Sequence, residues 1–326
     1  QRFSIAFMLG LNMNFAVALC VGLTTPTLPP STKGTPCLTR RAALASTAGA
    51  LVLPLRSGAA VTETEREVMT IVQVPMGKGK PAFAVNKPRY TGAGDPAWTY
   101  QKRDVSKAVY TADWPAAWPY TPKDFVRMDE EPDPAFYRFP KLVYHIDEGA
   151  VAALTRYYDA AVPDGSEVLD ICSSWVSHYP RDFPQRMKRL VGTGISETEL
   201  ACNDQLSSYA QADLNAKPKL PFADGSFDVV TCVVSVDYLN KPKEVMAEVA
   251  RVLRPGGKLI LSQSNRCFYT KAVGVWTADM SDAAHLRVLG TYIHFEPKLS
   301  EPSAFDISPK GPGTNDPMYI VEATRA

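Results

Sequence analysis

The sequence has no pair of cysteines at C-x-x-C spacing. Its six cysteines and four histidines form no cluster at metal-ligand intervals, which excludes the common zinc signatures. We expect free thiols and no metal. The chain also lacks an excess of one charge, with 35 Lys and Arg against 34 Asp and Glu. A nucleic-acid binder held by a basic face is therefore disfavoured. Residues 3–23, "FSIAFMLGLNMNFAVALCVGL", contain no charge at all. That length suits a transmembrane helix, and the position suits a cleavable signal or an anchor equally well. One further absence is local. The stretch "VLDICSSWVSHYP" at 168–180 reads as a buried strand entering a functional loop, yet the loop holds no glycine. Loops that hold a nucleotide-like cofactor after a strand usually carry several.

What is present begins with address signals. Arg40-Arg41 precede an Ala-rich apolar run, and small residues follow at Ser57, Gly58, Ala59 and Ala60. This is the layout of a twin-arginine export signal with its cleavage site. Two such segments in series resemble the layered presequence of a plastid protein bound for the thylakoid. We expect targeting segments over 1–60, a mature start near residue 60, and residence in the thylakoid lumen, with the stroma as the alternative. Much of the chain's proline lies before residue 140, and residues 61–125 add glycine, tryptophan and tyrosine with little periodicity. They read as an irregular arm that packs by its aromatics, not as a separate domain.

From 126 to 326 the pattern is regular. Residues 149–161 place Val151, Leu154 and Tyr158 at helical spacing. Strands are expected at 167–172, 189–196, 208–214, 227–239, 258–265 and 318–325, with a short helix near 197–203 and an amphipathic helix at 242–253. Pro242 suits that helix's first turn, and "RPGG" at 254–257 ends it. Alternation at this spacing predicts an α/β fold, a doubly wound, Rossmann-like and mostly parallel sheet. Ligands of such sheets bind at the carboxyl ends of the strands, where strand order reverses. The glycine-free loop stands at that place.

The block "LPFADGSFDVVTCVVSVDYLNKPKEVMAEVARVLRPGGKLIL" at 220–261 resembles the class I S-adenosylmethionine-dependent methyltransferases, in the type 11-like branch. With "FVRMDEEPDPAFYRFPKLVYHID", "CSSWVSHYP", "DLNAKPKLPF" and "SNRCF", the match over roughly 120–326 is similar to an uncharacterised plastid and cyanobacterial subgroup. The resemblance implies seven strands, S-adenosylmethionine as cofactor, and methyl transfer. It implies that Asp170 is the acid ending the first strand. It puts Cys172, Ser173 and Ser174 at the glycine-loop positions, and Asp213, followed by Leu214, beside the adenine. Cys-Ser-Ser departs from the family's Gly-x-Gly, and Gly194 stands where the family has a ribose-gripping acid. Glu197 is the nearest replacement.

Methyl transfer is an in-line displacement that needs alignment and a dry pocket rather than a bed of amides for phosphate. Trp175 reads as a pocket wall or as ordinary core. For the acceptor side we expect Asp237, Asn265 and Arg266 to converge at the strand ends, with Tyr238 in the same region and His178 across the pocket as a second proton carrier. Asp237 also reads as a helix cap. No Asn-Pro-Pro-Tyr or Asp-Pro-Pro-Tyr follows the fourth strand, so a nucleic-acid base is not the expected acceptor. The expectation is a small, lipophilic plastid acceptor, with association with the thylakoid membrane left open. The rival reading is a non-catalytic descendant of the fold serving as a binding or assembly factor.

Overall fold

The computed structural model describes residues 101–109, 114–311 and 316–326. The chain divides into two units, 1–59 and 60–326, and every described residue belongs to the second. The targeting segments, Arg40 and Arg41 among them, lie outside the described residues, as does most of the 61–125 arm.

Eight strands form one sheet: β1 (Arg103–Asp104), β2 (Glu167–Ile171), β3 (Arg189–Gly194), β4 (Ser208–Gln211), β5 (Phe227–Val233), β6 (Leu253–Gln263), β7 (Ser303–Asp306) and β8 (Tyr319–Thr324). Their order is β1-β7-β8-β6-β5-β2-β3-β4. Strands β2 to β6 run parallel, while β8 pairs antiparallel with both β6 and β7. Every residue of β2 is buried, as a strand covered on both faces must be. The chain leaves β2 outward through β3 and β4, then returns to the other side of β2 to lay down β5. Strand order therefore reverses between β2 and β5, which pair Asp170 with Thr231 and Ile171 with Cys232.

Helices cover both faces. On one, α3 (Glu148–Ala161) buries Leu154 and Tyr158, and its N-cap Asp147 accepts from the Ala150 amide at 2.8 Å. On the other, α6 (Pro242–Val252) buries Val245, Met246 and Val249 beside α8 (Asp282–His294). The shorter helices are α1 (Ser106–Val109), α2 (Asp133–Phe136), α4 (Phe183–Arg186), α5 (Glu197–Cys202) and α7 (Gly274–Thr277).

Several boundaries differ from the sequence reading. The strand expected to reach residue 239 ends at Val233, because Val236–Tyr238 form a 3-10 turn. "RPGG" does not separate helix from strand but lies inside β6, where the register with β5 shifts between Phe227 and Val229. The eighth strand, β1, is contributed by the arm and pairs antiparallel with β7.

The described part of the arm packs through its rings. Trp118 lies within 5.2–6.3 Å of Tyr120, Phe125, Tyr292 and Phe295, and Trp114 stacks on His294 at 4.3 Å. Helix α1 reaches α8 at Gly290, where a Cβ would overlap the Val109 side chain and meet the Trp114 ring at 3.3 Å. Overpacking of this kind costs about 1–3 kcal/mol. Gly290→Ala should destabilise the protein by that amount. In a double-mutant cycle, Val109→Ala should recover part of the loss, giving a coupling above about 0.5 kcal/mol by urea unfolding.

Candidate active site

Among the described residues, three non-glycine residues adopt left-handed backbone conformations: Cys172 (φ 53°), His178 (φ 57°) and Val234 (φ 37°). All three line one cavity at the carboxyl ends of β2, β3, β4 and β5. Such conformations cost on the order of 1–3 kcal/mol each and concentrate where function over-determines the backbone. Val234 is the most unusual, being β-branched.

Cys172 takes the conformation a glycine would adopt at no steric cost. The tight approach that a loop glycine usually permits comes instead from the facing strand. The Ser173 amide donates to the Thr193 carbonyl at 2.6 Å, and a Cβ on Gly194 would overlap the Ser173 carbonyl oxygen. The glycine has in effect moved from the loop to the strand that the loop leans on. For the same reason no acidic side chain fits at position 194.

Behind this contact lies Asp170, buried at the end of β2. Its carboxylate accepts from Ser173 Oγ and Ser177 Oγ, both at 2.7 Å, and from Thr231 Oγ1 at 3.0 Å. Desolvation raises its pKa to about 6 against the pull of those three hydroxyls. Asp170 thus ties the loop to β5. Asp213 and Leu214 also line the cavity, and Asp213 Oδ1 accepts from the amides of Asn215 and Ala216. Ser174 lines it and donates to Glu199 Oε2 at 2.6 Å.

Glu197, the expected substitute for the missing acid, is not among the lining residues. Glu199, two residues on in α5, is. It also accepts from the Lys141 amide at 2.7 Å, and burial raises its pKa. The signal for it in the sequence is weak: its amide donates to the capping Ser196 hydroxyl, which fixes where the first turn points.

The roof is a strap, residues 126–147, that contributes Arg127, Asp133, Phe136, Tyr137 and His145. Buried charges pin it. Arg127 donates to Asp133 Oδ1 at 2.6 Å, and Asn215 Nδ2 to Asp133 Oδ2 at 2.8 Å. Lys271 Nζ donates to the Glu131 carbonyl at 2.6 Å and pairs with Asp129 at 3.1 Å. Phe268 joins Phe136 (5.1 Å) and His145 (5.5 Å) in an aromatic wall. Trp175 is buried outside the lining. Its indole donates to the Val143 carbonyl at 3.1 Å, so it holds the strap from beneath.

The expected convergence of Asp237, Asn265 and Arg266 does not occur at this cavity. None of the three lines it, although Tyr238 and Leu239 do. Asp237 is 1% exposed, and neither carboxylate oxygen meets a donor among the described residues. Desolvation therefore raises its pKa well above the ordinary value. Asn265 and Arg266 are exposed beyond the end of β6, and Arg266 pairs with Asp316 at 2.7 Å. Phe268 and Lys271, a few residues later, take the place expected of them.

His178 does line the cavity. Its Nδ1 has no partner among the described residues, and burial, with His145 nearby, lowers its pKa to about 3. The fold therefore favours neutral imidazole. The stability this contributes is complete above about pH 6.5 and is lost as pH falls toward 3. Asp170 has the opposite sign: the stability from its protonated form is present below about pH 4 and lost as pH rises through 6.

His178→Asn keeps a residue that tolerates a left-handed backbone and removes the titration. Between pH 7 and pH 5 the wild type should lose about 2 kcal/mol more stability than this variant, read from urea unfolding at the two pH values. Gly194→Ala should separate the loop from β3 and raise hydrogen exchange at the Ser173 amide by on the order of tenfold or more, while amides in β8 are unchanged.

Residues 169–261 match the family model described as a methyltransferase domain. The ubiquinone biosynthesis O-methyltransferase of Idiomarina loihiensis is 30% identical over 121 residues, 35% of this chain and 49% of that protein. The malonyl-[acyl-carrier protein] O-methyltransferase of Hahella chejuensis is 35% identical over 104 residues, 29% of this chain and 36% of that protein. The demethylmenaquinone methyltransferase of Renibacterium salmoninarum is 50% identical over 44 residues, 14% of this chain and 19% of that protein. The chain thus spans less than half the length of these curated relatives. The strand order, the switch point between β2 and β5 and the cavity at the strand ends agree with this match of residues 169–261 to a methyltransferase domain.

Proposed function

We propose that the protein transfers a methyl group from S-adenosylmethionine to a small, lipophilic acceptor bound beneath the strap. The observation that carries this reading is the division of the cavity. The domain side brings Ser173, Ser174, Glu199, Asp213 and Leu214 from the strand ends, and the strap side brings Phe136, Tyr137 and His145, joined by Phe268. Bound there, the cofactor supplies an electrophilic methyl group on a cationic sulfur. Glu199 and Asp213 offer carboxylates to a cationic ligand, and the Ser173 and Ser174 hydroxyls suit its amino-acid end. The strap, pinned by Arg127 and Lys271, keeps water from the reacting centre.

Names of the relatives point to quinone-type and acyl-carrier acceptors, and the aromatic wall suits the former by ring packing. His178 and His145, which desolvation favours as neutral imidazoles, can each accept a hydrogen bond from an acceptor hydroxyl on the strap side of the cavity. Asp237 has no part in this reading. The plastid is the proposed compartment, and the twin arginines at 40 and 41 carry the lumen reading. Replacing both by Lys should leave the protein in the stroma on organelle fractionation.

Calorimetry with S-adenosylhomocysteine tests the cofactor site. Binding should fall in the micromolar range, about −7 to −8 kcal/mol. Asp213→Ala should weaken it by about 1.5–3 kcal/mol, the usual cost of a lost charged acceptor. No heat at millimolar ligand would leave the non-catalytic binding role in its place.

A further inference from the structure

Side chains alternate across a strand, so neighbours in one strand look to opposite faces of the sheet. Leu169 and Ile171 of β2 share one apolar cluster with Val230 and Cys232 of β5, while Val168 and Val229 belong to the cluster on the other face. Continued alternation would send Cys172 to that other face. Its left-handed backbone prevents this, and Cys172 packs against the first cluster, the one that holds Cys232. The unusual turn of the loop thus brings two sulfurs to the same side of the sheet.

Register brings them within reach. Ile171 is the Cα partner of Cys232, so Cys172 stands one step beyond it on the neighbouring strand. Strands spaced about 4.8 Å apart with a rise of about 3.3 Å put such residues about 5.8 Å apart. That lies inside the span of about 4.4–6.8 Å between the Cα atoms of a disulfide. Both cysteines are free thiols. A hydrogen bond between them, with desolvation, holds the Cys232 pKa well above the usual thiol value.

Access separates their roles. Cys232 is 0% exposed, so no reagent meets it directly. Cys172 is partly exposed and is the one cysteine among the residues that line the cavity. A reachable thiol beside a covered one is the arrangement in which the first is oxidised and the second resolves it.

We propose that Cys172 and Cys232 form an oxidisable dithiol site on the floor of the cavity, reached through the cavity and closed by a disulfide between the ends of β2 and β5. With hydrogen peroxide as the oxidant, the Cys172 sulfur attacks one peroxide oxygen. The O–O bond breaks, and the departing oxygen leaves as water with the Cys172 proton. The Cys232 sulfur then attacks the sulfenic acid on Cys172. The S–O bond breaks, and the hydroxyl leaves as water with the Cys232 proton. Two thiols are oxidised to one disulfide, and one peroxide is reduced to two waters. The chemistry is independent of methyl transfer. Only its shielding by ligand rests on the proposed cofactor site, because a ligand seated there covers Cys172.

Mass-spectrometric peptide mapping of the full chain after peroxide treatment, with remaining thiols alkylated, tests it. A Cys172–Cys232 linked peptide should form and should be lost on reduction with dithiothreitol. In Cys232→Ala the link should vanish, and a cyclic 1,3-diketone should trap Cys172 as sulfenic acid. In Cys172→Gly, which suits the left-handed backbone, Cys232 should stay reduced. S-adenosylhomocysteine at ten times its calorimetric Kd should slow the linkage about tenfold, in proportion to the unoccupied fraction. If calorimetry finds no binding, the cofactor reading fails and the linked peptide alone decides the dithiol site. No linked peptide, Cys172 joined to Cys267 or to a second chain instead, or oxidation of Cys232 in Cys172→Gly would overturn the inference. So would linkage that bound ligand does not slow.

Discussion

One close contact organises the site. The Ser173 carbonyl rests on Gly194, and the Ser173 amide is bonded to Thr193. With the loop held there, Cys172 must turn through a left-handed conformation, and the Ser173 and Ser177 hydroxyls reach the buried carboxylate of Asp170. The left-handed backbone at Cys172 and His178 flanks this network, which holds the loop between them. A glycine-poor loop is thus no sign of a lost cavity. It is a loop whose freedom has been exchanged for hydrogen bonds, with the glycine on the opposite strand.

The cavity has two halves of different origin. Its floor comes from strand ends within the segment that matches the methyltransferase model, and its roof comes from a segment that precedes that match in the chain. Residues outside the family match therefore line half of the cavity. Glu199 joins the halves, since it accepts from Ser174 of the loop and from the Lys141 amide of the strap. Moving either partner changes the surroundings of the other.

The regular parts were legible because each obeys a period. Val168 to Ile171 read as a buried strand, and Val245, Met246 and Val249 as a helix face, since burial requires those patterns. The helix Asp282–His294 was not legible. It is buried almost all round, with Leu286, Leu289, Tyr292 and Ile293 covered, so it shows little amphipathic stripe. The floor of the site could be read by resemblance, but the roof could not. Phe136 and His145 owe their positions to contacts with Phe268, more than 120 residues later in the chain, which no local pattern encodes. Asp237 was misplaced for a related reason. Its position at a strand end is correct, but the 3-10 turn at Val236–Tyr238 directs its carboxyl into the protein.

The arm's pairing has a consequence for the order in which the protein is completed. Arg103 sits opposite Asp306 in the sheet, and the ring cluster around Trp118 closes on Tyr292 and Phe295. These contacts join segments that leave the ribosome about 170 to 200 residues apart, so they rank among the highest-order contacts in the chain and are late to form. Until the last third is made, Trp118, Tyr120 and Phe125 have no ring partners from that segment. A nascent or C-terminally truncated chain would present an aromatic surface of the kind that recruits chaperones or aggregates. Synthesis of the last third of the chain therefore doubles as the step that covers the rings of the arm.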